Sequence, residues 1–227
     1  MDPTASSEIG YNPSEDPAPG KDDDGSGVAG TLELAQYFSQ FRCLFTHTIR
    51  FCFFNTEEQG LVGSLAYAKM LKNLAAPIIA AICMDMIGYN SDRKTLFEIH
   101  CGSNNEAIRD KSLIIANKVA DYADRLGSLA PAQIYKGTRK PTSSTHIDRN
   151  VYDGGIERSD HSSFHIYGYP AIVISEDIFV NLSTEPNPAA NPNYHSSRDR
   201  VIDSNYATEI IKSVALTVRE LALEKEK

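Results

Sequence analysis

Carboxylate and imidazole side chains are concentrated at four places along this 227-residue chain. These places are a run of three aspartates, an adjacent pair of glutamates, one aspartate inside a long apolar run and a histidine in a late polar loop. Carboxylates that are brought together repel one another unless a cation compensates their charge, and a mixture of Asp, Glu and His suits zinc or a similar divalent metal. The candidate ligands are Asp22, Asp23, Asp24, Glu57, Glu58, Asp85 and His195.

The predicted secondary structure would bring these groups to one edge of a sheet. Residues 48–55 are aromatic and β-branched and predict a strand that ends near the glutamate pair. Residues 77–88 are apolar on both faces, as a central parallel strand is, and they contain the lone aspartate. A buried strand at 170–176 precedes the histidine loop, and a helix at 27–40 follows the aspartate run. Because ligands bind outside the carboxyl ends of strands in open α/β sheets, we expect one shared site there.

The rest of the chain alternates strands with helices, which indicates an α/β fold with a largely parallel sheet. A polar stretch of about 20 residues follows residue 137 and is too long for a simple connector, so it predicts a functional loop; residues 176–203 form a second one. Ser159 and Ser204 are predicted helix caps. The further predicted strands are 95–102 and 132–137, and the further predicted helices are 58–73, 105–126, 160–167 and 204–223.

The composition argues against several classes of function. The formal net charge of -8 opposes nucleic-acid binding, because a phosphate backbone needs a basic surface. The sequence has neither an apolar run of the roughly 18 residues that a membrane helix needs nor a signal peptide at its start. Cys52 and Cys83 lie in apolar runs and are expected to be buried free thiols. The length predicts a single domain over residues 1–227.

Five motifs then occur in order along the chain: APGKDDDGSGVAG, FCFFNTEEQGLVGSLAYAK, ICMDMIGY, RSDHSSF and NPNYHSSRD. Together they resemble the secreted leucine aminopeptidases of metallopeptidase family twenty-eight, which are co-catalytic zinc peptidases. The similarity extends from about Pro17 to the end of the chain. It implies a three-layer αβα zinc-exopeptidase fold and an aminopeptidase that acts on peptides with a free N-terminus. It also favours a secreted or periplasmic location.

The resemblance implies a role for each matched position. Asp23 resembles the ligand that bridges two zinc ions, and Glu57 resembles the general base. Glu58 and His195 resemble the ligands of one zinc, and Asp85 resembles a ligand of the other. The implied mechanism is attack on the N-terminal peptide bond by a metal-activated water.

Other matched positions are expected to support these ligands. The family carries an HxD motif upstream of its aspartate run, and Asp2 resembles the aspartate of that motif, which orients a zinc histidine. That histidine would fall immediately before the first residue, so we expect a chain shortened at its N-terminus, with one tight zinc site, a weak second site and low activity. Asp160 and His161 are expected to hold a ligand in place or to shape the pocket.

Several alternatives stay open at the level of sequence. The matched set also resembles single-zinc glutaminyl cyclases, although their pocket uses tryptophan and this chain has none. The fold also occurs in non-catalytic binding domains, and a dipeptidase or carboxypeptidase relative is a further reading. The aspartate run taken alone fits a solvated acidic turn or an EF-hand calcium loop. The residues at EF-hand spacing are Asp22, Asp24, Ser26, Gly27 and Glu33.

Overall fold

The computed structural model describes residues 3–41, 44–91, 93–138, 148–178 and 190–223. This part of the chain contains five α-helices and four β-strands. None of the described helices is long and apolar enough to cross a membrane. In chain order the elements are α1 (Gly25–Ser39), α2 (Val62–Asn73), β1 (Ala81–Met84), β2 (Phe97–His100), α3 (Glu106–Leu126), β3 (Gln133–Tyr135), α4 (His161–Ile166), β4 (Ala171–Glu176) and α5 (Ser204–Leu223).

The four described strands form one sheet in the order β1-β4-β2-β3. β1 pairs with β4 in parallel, and β2 pairs with β3 in parallel, whereas β2 and β4 run antiparallel. The predicted α/β class with a mostly parallel sheet is therefore confirmed. Because of the one reversal, only β1 and β4 end at the same edge, and β2 and β3 end at the opposite one. The loops after β1 and β4 are thus the ones that meet.

Helices cover both faces of the sheet, which gives the predicted three layers. The larger hydrophobic cluster joins α1, α3 and α5 to one face, and the smaller cluster joins α2 and α4 to the other. β4 contributes to both clusters, since Ile172 and Ile174 belong to the larger one and Ala171 to the smaller one. This alternation is the two-residue period of a strand that is buried on both faces.

Most of the predicted helices and strands are present with shifted ends, but the predicted strand at 48–55 is not. The stretch is extended, yet no backbone group of residues 48–53 bonds to another backbone group in the described part of the chain. An apolar, β-branched run becomes a strand only when a neighbouring backbone completes its hydrogen bonds. β1 is accordingly an edge strand of the described sheet and partly exposed, where its composition predicted a central position.

Local hydrogen bonding explains the other differences. The caps differ from those predicted, since the carboxylate of Asp203, rather than Ser204, accepts from the amides that open α5. Asp160 occupies the N-cap position of α4 but its side chain makes no capping hydrogen bond, and the Ser159 hydroxyl is hydrogen-bonded to Asp85 instead. The thiols of Cys52 and Cys83 are free as predicted, but both residues are partly exposed rather than buried.

Candidate metal centre

Three side chains from distant parts of the chain converge at the edge where β1 and β4 end. The Nε2 atom of His195 lies 3.2 Å from Oδ2 of Asp23 and 2.9 Å from Oε1 of Glu58. One ligand atom from each of the three lies within 4.8 Å of the other two. The three groups are therefore close enough to bind one ion, as the sequence predicted for this subset of the candidates.

The three consecutive aspartates have three different tasks. The Asp22 carboxylate is buried and accepts from the Gly88 amide at 2.9 Å and the Asn191 side-chain amide at 2.9 Å. The Asp24 carboxylate caps α1 by accepting from the Gly27 amide at 3.1 Å. Asp23 is left as the member of the run that faces the site. The EF-hand alternative is wrong, because most of the loop that it requires is the helix α1.

The backbone of the aspartate turn is held by a further acid from the motif that contains His195. The amides of Asp22 and Asp23 donate to Oδ2 of Asp199 at 3.1 and 3.0 Å. Gly27 allows α1 to approach the end of β1, since a Cβ at this position would lie 2.1 Å from the Met84 carbonyl oxygen. These contacts fix the direction of the Asp23 side chain relative to the histidine loop.

Glu57 and Glu58 lie in a turn before α2 rather than at a strand end or in the first helical turn. The amides of Gly60 and Leu61 both donate to the Glu57 carbonyl at 2.8 Å. Both glutamate side chains line the same cavity. The alternation of side chains along a strand is therefore not what separates their roles. The turn gives Glu58 the contact with His195 and leaves Glu57 beside it.

His195 is held by residues that sequence reasoning did not identify. The Tyr194 ring stacks on its imidazole at 3.7 Å between ring centroids. Its Nδ1 atom lies 3.1 Å from the Ser6 hydroxyl, and the Ser7 amide and hydroxyl donate to its carbonyl at 3.0 and 2.6 Å. Tyr194 stands next to the histidine in its motif, which is a usable signal. Ser6 and Ser7 lie in a segment rich in Pro, Gly, Ser and Asp, and nothing in that composition points to a contact with a distant histidine.

The electrostatics of the site are those of crowded carboxylates. Burial and the charges of Asp85, Glu58 and neighbouring acids raise the pKa of Glu57 to about 9. Burial and the nearby Asp23 raise the pKa of Asp85 to about 8. Burial alone would lower the pKa of His195, but its bonds to Asp23 and Glu58 raise it to about 9. Excess negative charge of this kind is what a divalent cation compensates.

The remaining predicted site residues lie outside the group formed by Asp23, Glu58 and His195. Asp85 is not one of the three close ligands, although it and Asp160 line the same cavity as Glu57. His161 is fully buried, its Nε2 atom lies 3.5 Å from the Ser162 hydroxyl, and its ring packs edge-on against His165. Burial lowers its pKa, so the ring is neutral. Asp2 lies outside the described residues.

The donor set fits zinc. Two carboxylate oxygens and one imidazole nitrogen facing a common point are three protein ligands, which is the number found in catalytic zinc sites that keep a fourth position open. The Nδ1 contact with Ser6 is the outer partner that metal-binding histidines have. Asp23 and Asp85 line the same cavity.

Comparison with known proteins places this geometry in a family. Leucine aminopeptidase 1 of Ajellomyces capsulatus is 28% identical over 216 residues, which cover 92% of this chain and 49% of the relative. A probable zinc metalloprotease of Pyrenophora tritici-repentis is 45% identical over 71 residues, 31% of this chain and 16% of the relative. The solved aminopeptidase from Aneurinibacillus sp. strain AM-1 superposes with a TM-score of 0.64 at 28% identity, over 92% of this chain and 41% of that one.

The chain thus spans about half the length of the curated leucine aminopeptidase that it matches. The profile of Peptidase family M28 matches residues 7–221, which include all of the converging side chains. Since this match takes in nearly the whole chain, the protein belongs to Peptidase family M28.

Proposed function

We propose that this chain is the catalytic region of a zinc-dependent aminopeptidase. Asp23, Glu58 and His195 hold zinc, and Glu57 is the general base. The observation that carries the proposal is the convergence of these three ligands from separate segments, with the carboxylate of Glu57 in the cavity that Asp23 and Glu58 also line. The family membership and the names of the relatives support a peptidase.

Zinc at this position would polarise the scissile carbonyl and lower the pKa of a water far below its bulk value, toward about 7. Glu57 lies next to the ligand Glu58 and faces the same space. It accepts the proton of the attacking water and delivers it to the leaving amine, which is the work of a general base that later acts as an acid. Ser6 and Tyr194 keep the imidazole of His195 directed at the site.

The acidic cavity supports a substrate with a free amino group. Asp85, Asp160 and Glu57 line one end of it, and a protonated amine is attracted by grouped carboxylates. A substrate carboxylate would be repelled there, which favours an aminopeptidase over a carboxypeptidase. We further propose that Asp23 and Asp85 bind a second zinc weakly, because among the described residues only these two supply an oxygen for it.

The direct test uses the zinc-loaded chain with leucine-containing peptides and with the same peptides carrying an N-terminal acetyl group. We expect free leucine from the unblocked peptides alone. Hydrolysis of both, or release from the carboxyl end, would refute the aminopeptidase assignment. Zinc retention without any hydrolysis would favour the non-catalytic binding domain. Cyclisation of an N-terminal glutamine peptide would favour the glutaminyl cyclase alternative.

A further inference from the structure

A cluster of three buried carboxyl groups lies beside the metal centre, at the end of β4. Its members are Asp22, Glu176 and Asp199, and none of them is more than 2% exposed. No ion pair in the described part of the chain includes any of the three. Buried carboxylates in contact with one another cannot all be ionised without a compensating charge. The cluster therefore needs a proton or a cation.

Two of the three acids lie side by side. The amides of Gly88 and Tyr89 are consecutive in the loop after β1. The first donates to Oδ1 of Asp22 at 2.9 Å, and the second donates to Oε2 of Glu176. The side chains of Asp22 and Glu176 are also hydrogen-bonded to each other. Because an ionised carboxylate can only accept, a hydrogen bond between two carboxyl groups requires a proton on one of them.

The hydrogen-bond partners of the two acids assign that proton to Glu176. Both oxygens of Asp22 already accept from protein donors, since Oδ2 accepts from the Asn191 side-chain amide at 2.9 Å. In contrast, the buried Oε1 atom of Glu176 accepts from no described residue. A buried acceptor without a donor is costly, whereas the same atom carrying a proton becomes a donor. Burial and the charge of Asp22 also raise the pKa of Glu176 well above its usual range.

We propose that Glu176 is a positioning residue for the metal centre, because its carboxyl group donates a hydrogen bond to Asp22 and thereby fixes the turn that presents Asp23. The backbone of Glu176 is itself fixed, since its amide donates to the Met86 carbonyl at 2.8 Å. The end of β4 thus holds the turn on which a ligand lies. The inference rests on the proposed function only for the role of Asp23 as a zinc ligand.

Infrared spectroscopy of the metal-free chain in chelator, with isotope-labelled glutamate, tests where the proton lies. The C=O stretch of a protonated carboxyl group is separate from the bands of a carboxylate, and the label shifts the bands of glutamate alone. At neutral pH we expect Glu176→Gln to remove a protonated-glutamate component that the wild-type chain contains. The matched control is Glu106→Gln, at an exposed position of α3, which should retain this component.

Two infrared results would overturn the proposal. If Glu176→Gln removes no protonated component, Glu176 is ionised and a cation compensates the cluster. If the component that disappears does not shift with the glutamate label, the proton belongs to an aspartate, and Asp22 is then the donor. Neither result depends on zinc binding or on peptide hydrolysis.

Zinc titration of two variants tests the positioning role. The amide of Glu176→Gln can donate to Asp22 as the acid does, so its zinc affinity should stay close to that of the wild type. Glu176→Leu fills the space without a donor and should bind zinc about tenfold more weakly or worse, as on loss of an outer hydrogen-bond partner. Circular dichroism checks that both variants are folded.

Equal zinc affinities of the two variants, whether both unchanged or both reduced, would overturn the positioning role, because the donor would then make no difference. Failure of the proposed function gives a different result. The wild-type chain itself would then bind no zinc and hydrolyse no peptide, which also removes the positioning role, while the infrared bands would still decide which acid carries the proton.

Discussion

The Nδ1 atom of His195 lies 3.1 Å from the hydroxyl of Ser6, although 189 positions separate the two residues. Nε2 of the same ring faces Asp23 and Glu58. The segment that contains Ser6 therefore orients His195, the proposed zinc ligand in the loop after β4. An outer hydrogen bond of this kind fixes the tautomer and the direction of a metal-binding imidazole.

We expect Ser6→Ala to weaken zinc binding by about tenfold, the lower end of the range for such outer partners, because Ser6 is exposed. Isothermal titration with zinc measures the change. Ser14→Ala is the matched control, since Ser14 lies in the same segment and is also exposed. Equal zinc affinity of the two variants would mean that Ser6 does not orient the histidine.

The adjacent glutamates should separate into a metal ligand and a base. Glu58→Gln should weaken zinc binding strongly, because it removes a charged ligand oxygen from the group of three. Glu57→Gln should retain zinc and lose about 10²- to 10⁴-fold in kcat, the range for removal of a general base. Zinc titration and peptide hydrolysis on both variants check this, with Glu33→Gln on the exposed face of α1 as control. If Glu57→Gln instead loses zinc, the two roles are reversed.

Asp199 should matter for folding as well as for the metal. Its carboxylate accepts from the amides of Asp22 and Asp23 and is buried. Asp199→Ala leaves two amides without their acceptor, and a buried unsatisfied group costs roughly 1–3 kcal/mol. Urea unfolding in the presence of a chelator measures the loss without any contribution from zinc. Asp16→Ala is the control, because Asp16 is exposed and its hydrogen bonds are local: its carboxylate accepts from the Asn12 amide, and its amide donates to the Asn12 carbonyl. An unchanged unfolding midpoint for Asp199→Ala would contradict the expectation.

A pH-dependent contribution to stability should come from a buried cluster at the other edge of the sheet. His100 lies 2.7 Å from Asp153 and 3.1 Å from Glu98 and stacks on the Tyr135 ring. Burial opposes the charged imidazole, but the two carboxylates raise its pKa to about 9. Since the pKa is raised above the ordinary value of 6.5, the folded state gains stability below about pH 6.5 and loses it as the pH rises through 9.

The measurement is the effect of His100→Gln on the free energy of unfolding at pH 6.5 and at pH 10, in chelator. The substitution should lower the free energy of unfolding more at pH 6.5 than at pH 10, by up to about 3 kcal/mol. Only at the lower pH is His100 charged and stabilised by its two carboxylate partners. Tyr135 and His161 also face this region, but Tyr135 has a raised pKa and His161 a lowered one, so neither titrates in this window. An equal cost at both values would show that His100 is neutral in the folded protein.

The site was predictable where chemistry and chain position coincide. Asp23, Glu58 and His195 each follow or precede an apolar element, and their residue types are costly to gather without a cation, so their convergence could be inferred. The role of Ser6 could not be inferred, because a serine in a polar segment carries no signal of a distant partner. Which of the three consecutive aspartates faces the site could not be inferred either, because it depends on tertiary contacts such as the hydrogen bond from the Gly88 amide to Asp22.

The fold was predictable from periodicity, except where a hydrogen-bonding partner decides the outcome. The sequence of β4 predicts a buried strand, and the structure contains that strand because β1 and β2 pair with it on either side. Residues 48–55 have equally strong strand composition, yet residues 48–53 make no backbone–backbone hydrogen bond to a described residue. Amino-acid composition indicates the strand propensity of a segment, but tertiary contacts determine whether the segment forms a hydrogen-bonded strand.

The anchoring of the amino-terminal segment to the histidine loop has a practical consequence. Ser7 bonds to the His195 carbonyl, and the Glu8 carboxylate accepts from the Ser197 amide and hydroxyl at 2.8 Å. Affinity tags, linkers or proteolytic nicks close to residues 6–8 would act directly on the loop that contains His195, which we propose as a zinc ligand. Since α5 supplies none of the three converging groups, purification handles belong at the carboxyl end of the chain.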